Sequence, residues 1–112
     1  SMVALVGDPY KDHDLWITAE MIDMIGQARP VFRVDPHHPG TEVVCEAAAA
    51  LAASSMVFKA HGAFGPEYIK RLEQAAKELY DFGVTFQGNY TDAVPLVGEF
   101  YNSFSGWVDE MG

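Results

Sequence analysis

The sequence is short of cysteine, of basic charge and of clean apolar runs, and each shortage excludes something. A single cysteine, Cys45, allows no internal disulfide, and nothing stands at zinc or redox spacing. Seven Lys and Arg against 16 Asp and Glu leave a formal net charge of −9. That balance disfavours nucleic acid and anionic membrane surfaces as partners, since both recruit cations; neutral molecules and cations remain open. No apolar run reads as long and clean enough to span a bilayer. The N-terminus lacks signal-peptide architecture, and Ser1-Met2 reads as a tag remnant followed by a start residue, so the cellular compartment stays open. There is no internal repeat and no low-complexity tract beyond the alanines.

What is present is apolar enough to pack. Of the 112 residues 49% are hydrophobic, which fits one small packed domain and excludes disorder. The stretch Pro39–Phe58, PGTEVVCEAAAALAASSMVF, organises the rest. Pro39-Gly40 is a turn signal, Thr41 a predicted N-cap, and Glu42 puts negative charge in the first turn, where the helix dipole favours it. After Glu46 no charge appears until Lys59. Val44, Leu51, Ser55 and Phe58 fall on one face; Val43, Ala47, Ala50, Ser54 and Val57 fall on another. A helix apolar on both faces predicts burial on both faces.

Before it, Val3–Val6 reads as strand-like, and Asp12-His13-Asp14-Leu15-Trp16 as a polar loop. Thr18–Ile25 reads as a short helix capped by Thr18, and Val31–Val34 as a brief extended piece. After it, Ala60–Gly65 reads as a linker and Pro66 as the first turn of an amphipathic helix. Tyr68, Leu72, Ala75, Ala76, Leu79 and Phe82 recur there at helical spacing, and Gly83 is the predicted stop. Val84–Glu99 is loop-like, residues 100–107 form an aromatic-rich corner, and Val108–Met111 reads as the first turn of another helix. A doubly buried helix beside an amphipathic one suits a two-layer helical toroid, and a chain stopping as a helix begins reads as a piece of something larger. Left unwrapped, Val43, Leu51, Val57 and Phe58 predict self-association, as a homo-oligomer with or without exchanged helices.

Four stretches carry a resemblance. Val6-Gly7-Asp8 with Asp12-His13 and Trp16, then Arg29–Asp35 (RPVFRVD), then Pro39–Phe58, then Phe100–Glu110 (FYNSFSGWVDE), resemble in order and spacing the catalytic domain of glycoside hydrolase family 9, the endo-β-1,4-glucanases. Leu79-Tyr80-Asp81-Phe82 and Gly88–Asp92 fit the same pattern. The resemblance implies an all-α fold, a central segment of an (α/α)6 barrel with two to three main helices and long loops, forming a single partial domain over residues 1–112. It implies inverting hydrolysis of β-1,4-glucosidic bonds in cellulose and related β-glucans. The family's carboxylate base, glutamic acid and catalytic histidine lie in motifs absent from this chain, so no catalytic residue is assigned.

The resemblance further places His13, Trp16, Tyr101 and Phe104 on a wall of the glucan cleft, Phe104 where tryptophan is usual. Ring faces suit the apolar C–H face of a sugar. It places Ser105, Gly106, Asp109 and Glu110 at a calcium site, hard oxygen chemistry appropriate to that ion. Leu15 stands for a usual cleft tryptophan, Ile17-Thr18 for Gly-Pro, and His37-His38 is unusual in its loop.

Plainer readings stand beside these. Inverting hydrolysis needs two carboxyls roughly 6.5–9.5 Å apart across a sugar; Asp109 and Glu110 are sequence neighbours and diverge, and an acidic surface is the simpler account. Asp12-His13-Asp14 reads as a loop more readily than as a metal cluster, and His37-His38 as solvated. From composition alone Tyr101 and Phe104 are core aromatics, and Trp107 is packing. Cys45 reads as a buried small apolar residue, and Ser54-Ser55 as helix packing with hydroxyls bonded to the backbone. The alternative to an endoglucanase segment is a non-catalytic helical module for glucan binding or self-association.

Overall fold

The computed structural model describes residues 1–112. In chain order the elements are β1 (Met2–Val6), α1 (Pro9–Asp14), α2 (Ala19–Met24), β2 (Val31–Val34), α3 (Thr41–His61), α4 (Pro66–Thr85) and α5 (Tyr90–Ala93). Short 3-10 turns lie at Pro95–Val97 and Asp109–Met111.

Helices α3 and α4 dominate, because only they are long enough to gain much by packing on each other. They form an antiparallel hairpin. Cys45 in the second turn of α3 meets Gly83 in the last turn of α4, and at the other end Lys59 Nζ lies 3.9 Å from a Glu73 carboxylate oxygen. Helix α3 ends at Gly62, whose φ of 63° is open to glycine, and the Gly62 N–H returns to the Phe58 carbonyl. Gly83 is not the predicted stop. It is buried inside α4, which runs on to Thr85, and a Cβ there would stand 2.9 Å from Cys45 Sγ. The glycine is what allows the two helices to come this close.

Thr41 is the first helical residue and not the predicted N-cap, which is Gly40. Its hydroxyl serves the neighbouring segment instead: Gly88 N–H donates to Thr41 Oγ1 at 3.0 Å, and Thr41 N–H donates to the Gly88 carbonyl at 2.8 Å. The predicted double burial of α3 is also corrected. Only 13 of the 112 residues are buried, too few to wrap a helix on all sides. Val44, Cys45, Ala48 and Ser55 face inward; Ala49, Ala50, Ala53, Met56 and Val57 face solvent. By length and composition α3 would suffice to cross a bilayer, contrary to the sequence reading. It packs along one side against α4, and 22% of its most apolar stretch is buried.

The two extended pieces pair. Strand β1 runs antiparallel to β2 with Met2 opposite Val34 and Val6 opposite Val31, the register slipping by a bulge between Val3 and Leu5. The chain turns out of β1 at Gly7, where φ is 102°. Asp8 then caps α1, accepting from Tyr10 N–H and Lys11 N–H, so the predicted polar loop at residues 12–14 is helical. Asp12 is held by Arg29, whose Nη2 lies 3.0 Å from Oδ2, and by Gln27, which donates to Oδ1 at 2.6 Å. Arg29 also donates to the Val6 carbonyl, which stitches α1 to the sheet. The predicted loop after α4 contains α5 and the Pro95–Val97 turn, where Val94 and Val97 join Val34 and Val44 in the core.

Candidate functional site

The first turn of α3, the start of α5 and the aromatic corner after the Pro95–Val97 turn come together around a cavity of about 540 Å³. Its wall includes Glu42 and Glu46, one helical turn apart on α3, and Tyr101, Ser103, Phe104 and Glu110 opposite. No basic residue lines it. A cavity with this lining repels anions and offers acceptors to hydroxyl groups or cations.

Glu42 is 7% exposed and pairs with no cation. Its carboxylate is satisfied by donors instead: Tyr90 N–H reaches Oε2 at 2.9 Å, and the Ser103 hydroxyl reaches Oε1 at 2.6 Å. Ser103 Oγ also lies 3.2 Å from the Gly106 carbonyl. The Tyr90 hydroxyl donates to the Tyr101 carbonyl. Burial first, then the nearby Glu42 and Glu46 charges, push the Tyr90 phenol up, so it remains an O–H donor. These bonds tie a corner with little regular structure to the rigid end of α3.

Two of the corner's aromatic rings face outward, while Phe100 packs on Tyr10 and His13 and Ser103 turns in to Glu42. Tyr101 is 78% exposed and Phe104 91% exposed, which overturns the composition-only reading of both as core aromatics. Of the predicted ion ligands, Ser105, Gly106 and Glu110 line the cavity. Asp109 lies beside them, its Oδ2 accepting from the Ser105 hydroxyl at 3.1 Å. Asn89 Oδ1 is buried without a hydrogen-bond partner, about 4.0 Å from where a Gly106 Cβ would stand.

The predicted cleft residues do not all meet. His13, at the end of α1, sets its ring 5.4 Å from that of Phe100, next to Tyr101. Trp16 is fully exposed in a shallow depression with Leu15, Ile17 and Met21, away from the cavity. Asp12 is engaged with Arg29 and Gln27, and no group of three His, Cys, Asp or Glu residues forms a metal cluster. Burial, then Glu110 and Glu42, push the Cys45 thiol up, in keeping with an unreactive core residue. Sequence reasoning missed Glu46, Tyr90 and the bonding role of Glu42. The one signal was position: Glu42 and Glu46 share an α3 face at four-residue spacing, and Ser103 sits inside the aromatic corner.

The family model of glycosyl hydrolase family 9 matches residues 1–112. The chain belongs to this family. Endoglucanase A of Bacillus pumilus is 47% identical over 108 residues, 96% of this chain and 16% of that protein. Endoglucanase 1 of Oryza sativa subsp. japonica is 43% identical over 106 residues, 95% of this chain and 16% of that protein. Among solved structures, an endoglucanase from the termite Nasutitermes takasagoensis superposes with a TM-score of 0.78 at 32% identity, covering 95% of this chain and 23% of that one. The family 9 chain thus spans about one sixth of the length of the curated relatives it matches. Its mostly helical architecture is the one expected from the (α/α)6 barrel family, with the small β1–β2 sheet as its non-helical part.

Proposed function

We propose that this family 9 chain forms part of the glucan-binding wall of an endo-β-1,4-glucanase, with the aromatic corner as its sugar platform. The observation that carries the reading is the exposure of Tyr101 and Phe104 at a cavity that also offers Asn102 and the exposed Glu46 carboxylate of α3. Large aromatic rings left in water cost solvation unless a ligand covers them, and pyranose rings present an apolar face with hydroxyls at the rim. His13 extends the platform through Phe100, and Trp16 provides a separate contact point further along the chain.

We propose the same corner for calcium. Ser105, Gly106, Asp109 and Glu110 would supply hydroxyl, carbonyl and carboxylate oxygens, and the unpaired Asn89 oxygen lies near Gly106 as a further buried acceptor. A bound ion there would hold the end of the corner in place. The test is electrophoresis through gels containing hydroxyethylcellulose. The account predicts retardation by that β-1,4-glucan and none by pullulan; equal mobility in both gels overturns it.

A second reading concerns the solvent face of α3, where Met56 is 70% and Val57 52% exposed. This apolar stripe supports self-association of the chain, and sedimentation analysis would then show a dimer or larger species that Val57→Lys converts to monomer. A wild-type monomer at all concentrations contradicts that reading.

A further inference from the structure

Glu42 does more than complement the helix dipole. Its carboxylate is the junction of three segments distant in sequence: the start of α3, the Tyr90 amide 48 residues on, and the Ser103 hydroxyl 61 residues on. Between Asn102 and Val108 the chain has no helix or strand to set its shape. The Ser103 hydroxyl is the side-chain contact that links this piece to α3, and Tyr101 and Phe104 flank it. Bonds to an ionised acceptor are the stronger kind, and a group this buried costs much to leave unmatched. We infer that Glu42 is a positioning residue for glucan: by holding Ser103 and Tyr90 it sets the distance and angle between the Tyr101 and Phe104 rings, and so determines affinity without touching sugar-stacking faces itself. The inference rests on the glucan-binding reading of the corner.

The chemistry distinguishes two substitutions. Glu42→Gln keeps an acceptor for the Tyr90 amide, and its NH2 group can donate to Ser103 Oγ, because a hydroxyl also accepts. Glu42→Leu fills similar space and matches neither donor. Backbone 15N order parameters of unliganded wild type, Glu42→Leu and Glu42→Gln read the corner directly. In Glu42→Leu the amides of residues 102–106 should fall to the mobile range, about 0.6 or lower, while α4 stays near the rigid value of about 0.85. Glu42→Gln should resemble wild type.

Cellohexaose affinity should fall about tenfold in Glu42→Leu and stay within about threefold in Glu42→Gln, a difference of roughly one decade in Kd. In a Tyr101→Ala, Phe104→Ala background the Glu42→Leu effect on affinity should vanish, since there are no rings left to position. Should Glu42→Leu not fold, Ser103→Ala removes the corner's bond with Glu42 intact and should loosen the same amides. Unchanged order parameters in both variants, or loosening spread evenly over α3 and α4, would overturn the inference. If wild type bound no glucan, the platform reading would fall, while the order parameters would still decide whether Glu42 sets the corner.

Discussion

The Ser103 hydroxyl donates to Glu42 Oε1 at 2.6 Å and closes the aromatic corner onto the first turn of α3. A buried carboxylate is normally expected to pair with a cation; here an amide and a hydroxyl take that part, at a helix N-terminus whose dipole favours negative charge. Glu42→Ala should therefore destabilise the fold by about 1–3 kcal/mol, through the loss of charged hydrogen bonds and the unmatched Tyr90 amide left behind. Ser103→Ala should cost less, about 1 kcal/mol, because Glu42 keeps its bond to Tyr90. Urea unfolding of the two variants measures both, and equal, negligible effects would mean the bonds are not made in solution.

Gly83 sets the closeness of the helical hairpin. A methyl group there would stand 2.9 Å from Cys45 Sγ, inside contact distance. Overpacking of this kind costs about 1–3 kcal/mol, set against a helix-propensity gain of about 1 kcal/mol from replacing glycine by alanine. Gly83→Ala should lower Tm in wild type. In a Cys45→Ala background, where the sulfur is gone, the same change should raise it.

The turn before α3 gives a pH dependence. Asp35 accepts the His37 N–H at 2.8 Å and the His38 N–H at 2.9 Å, and these bonds, His37 first, hold its carboxyl below the ordinary value of 3.8. The folded chain thus releases this proton more readily than the unfolded chain. The stability Asp35 contributes is present above about pH 4 and is lost as pH falls through its lowered folded value. The Tm difference between wild type and Asp35→Asn should shrink below about pH 4. A difference that grew below about pH 4 would refute the assignment.

Much of this was legible in the sequence because much of it is local. The lengths of α3 and α4, the extended character of Val3–Val6 and Val31–Val34, and the family of the chain follow from short-range pattern and motif order. Pairing of β1 with β2 was not legible, since the strands are too short for their alternation to specify a partner. Thr41 misled because capping chemistry and long-range bonding use the same hydroxyl, and only the fold brings Gly88 to it. Gly83 misled because a glycine near a helix end serves as a stop or as a close-packing residue with the same sequence signature. Glu42 was seen for its charge and missed for its bonds, whose partners lie 48 and 61 positions away. The exposure of Tyr101 and Phe104 reverses what composition suggests, because the corner turns outward where a core segment would turn in.

The most direct test of the glucan platform is calorimetric titration of the chain with cellohexaose, wild type beside Tyr101→Ala and Phe104→Ala. Both side chains are largely exposed, so neither substitution should change Tm appreciably. The account predicts that wild type binds and that each substitution weakens binding about tenfold, the loss of roughly one stacked ring. Binding that is equal in all three proteins, or undetectable in wild type, would contradict it.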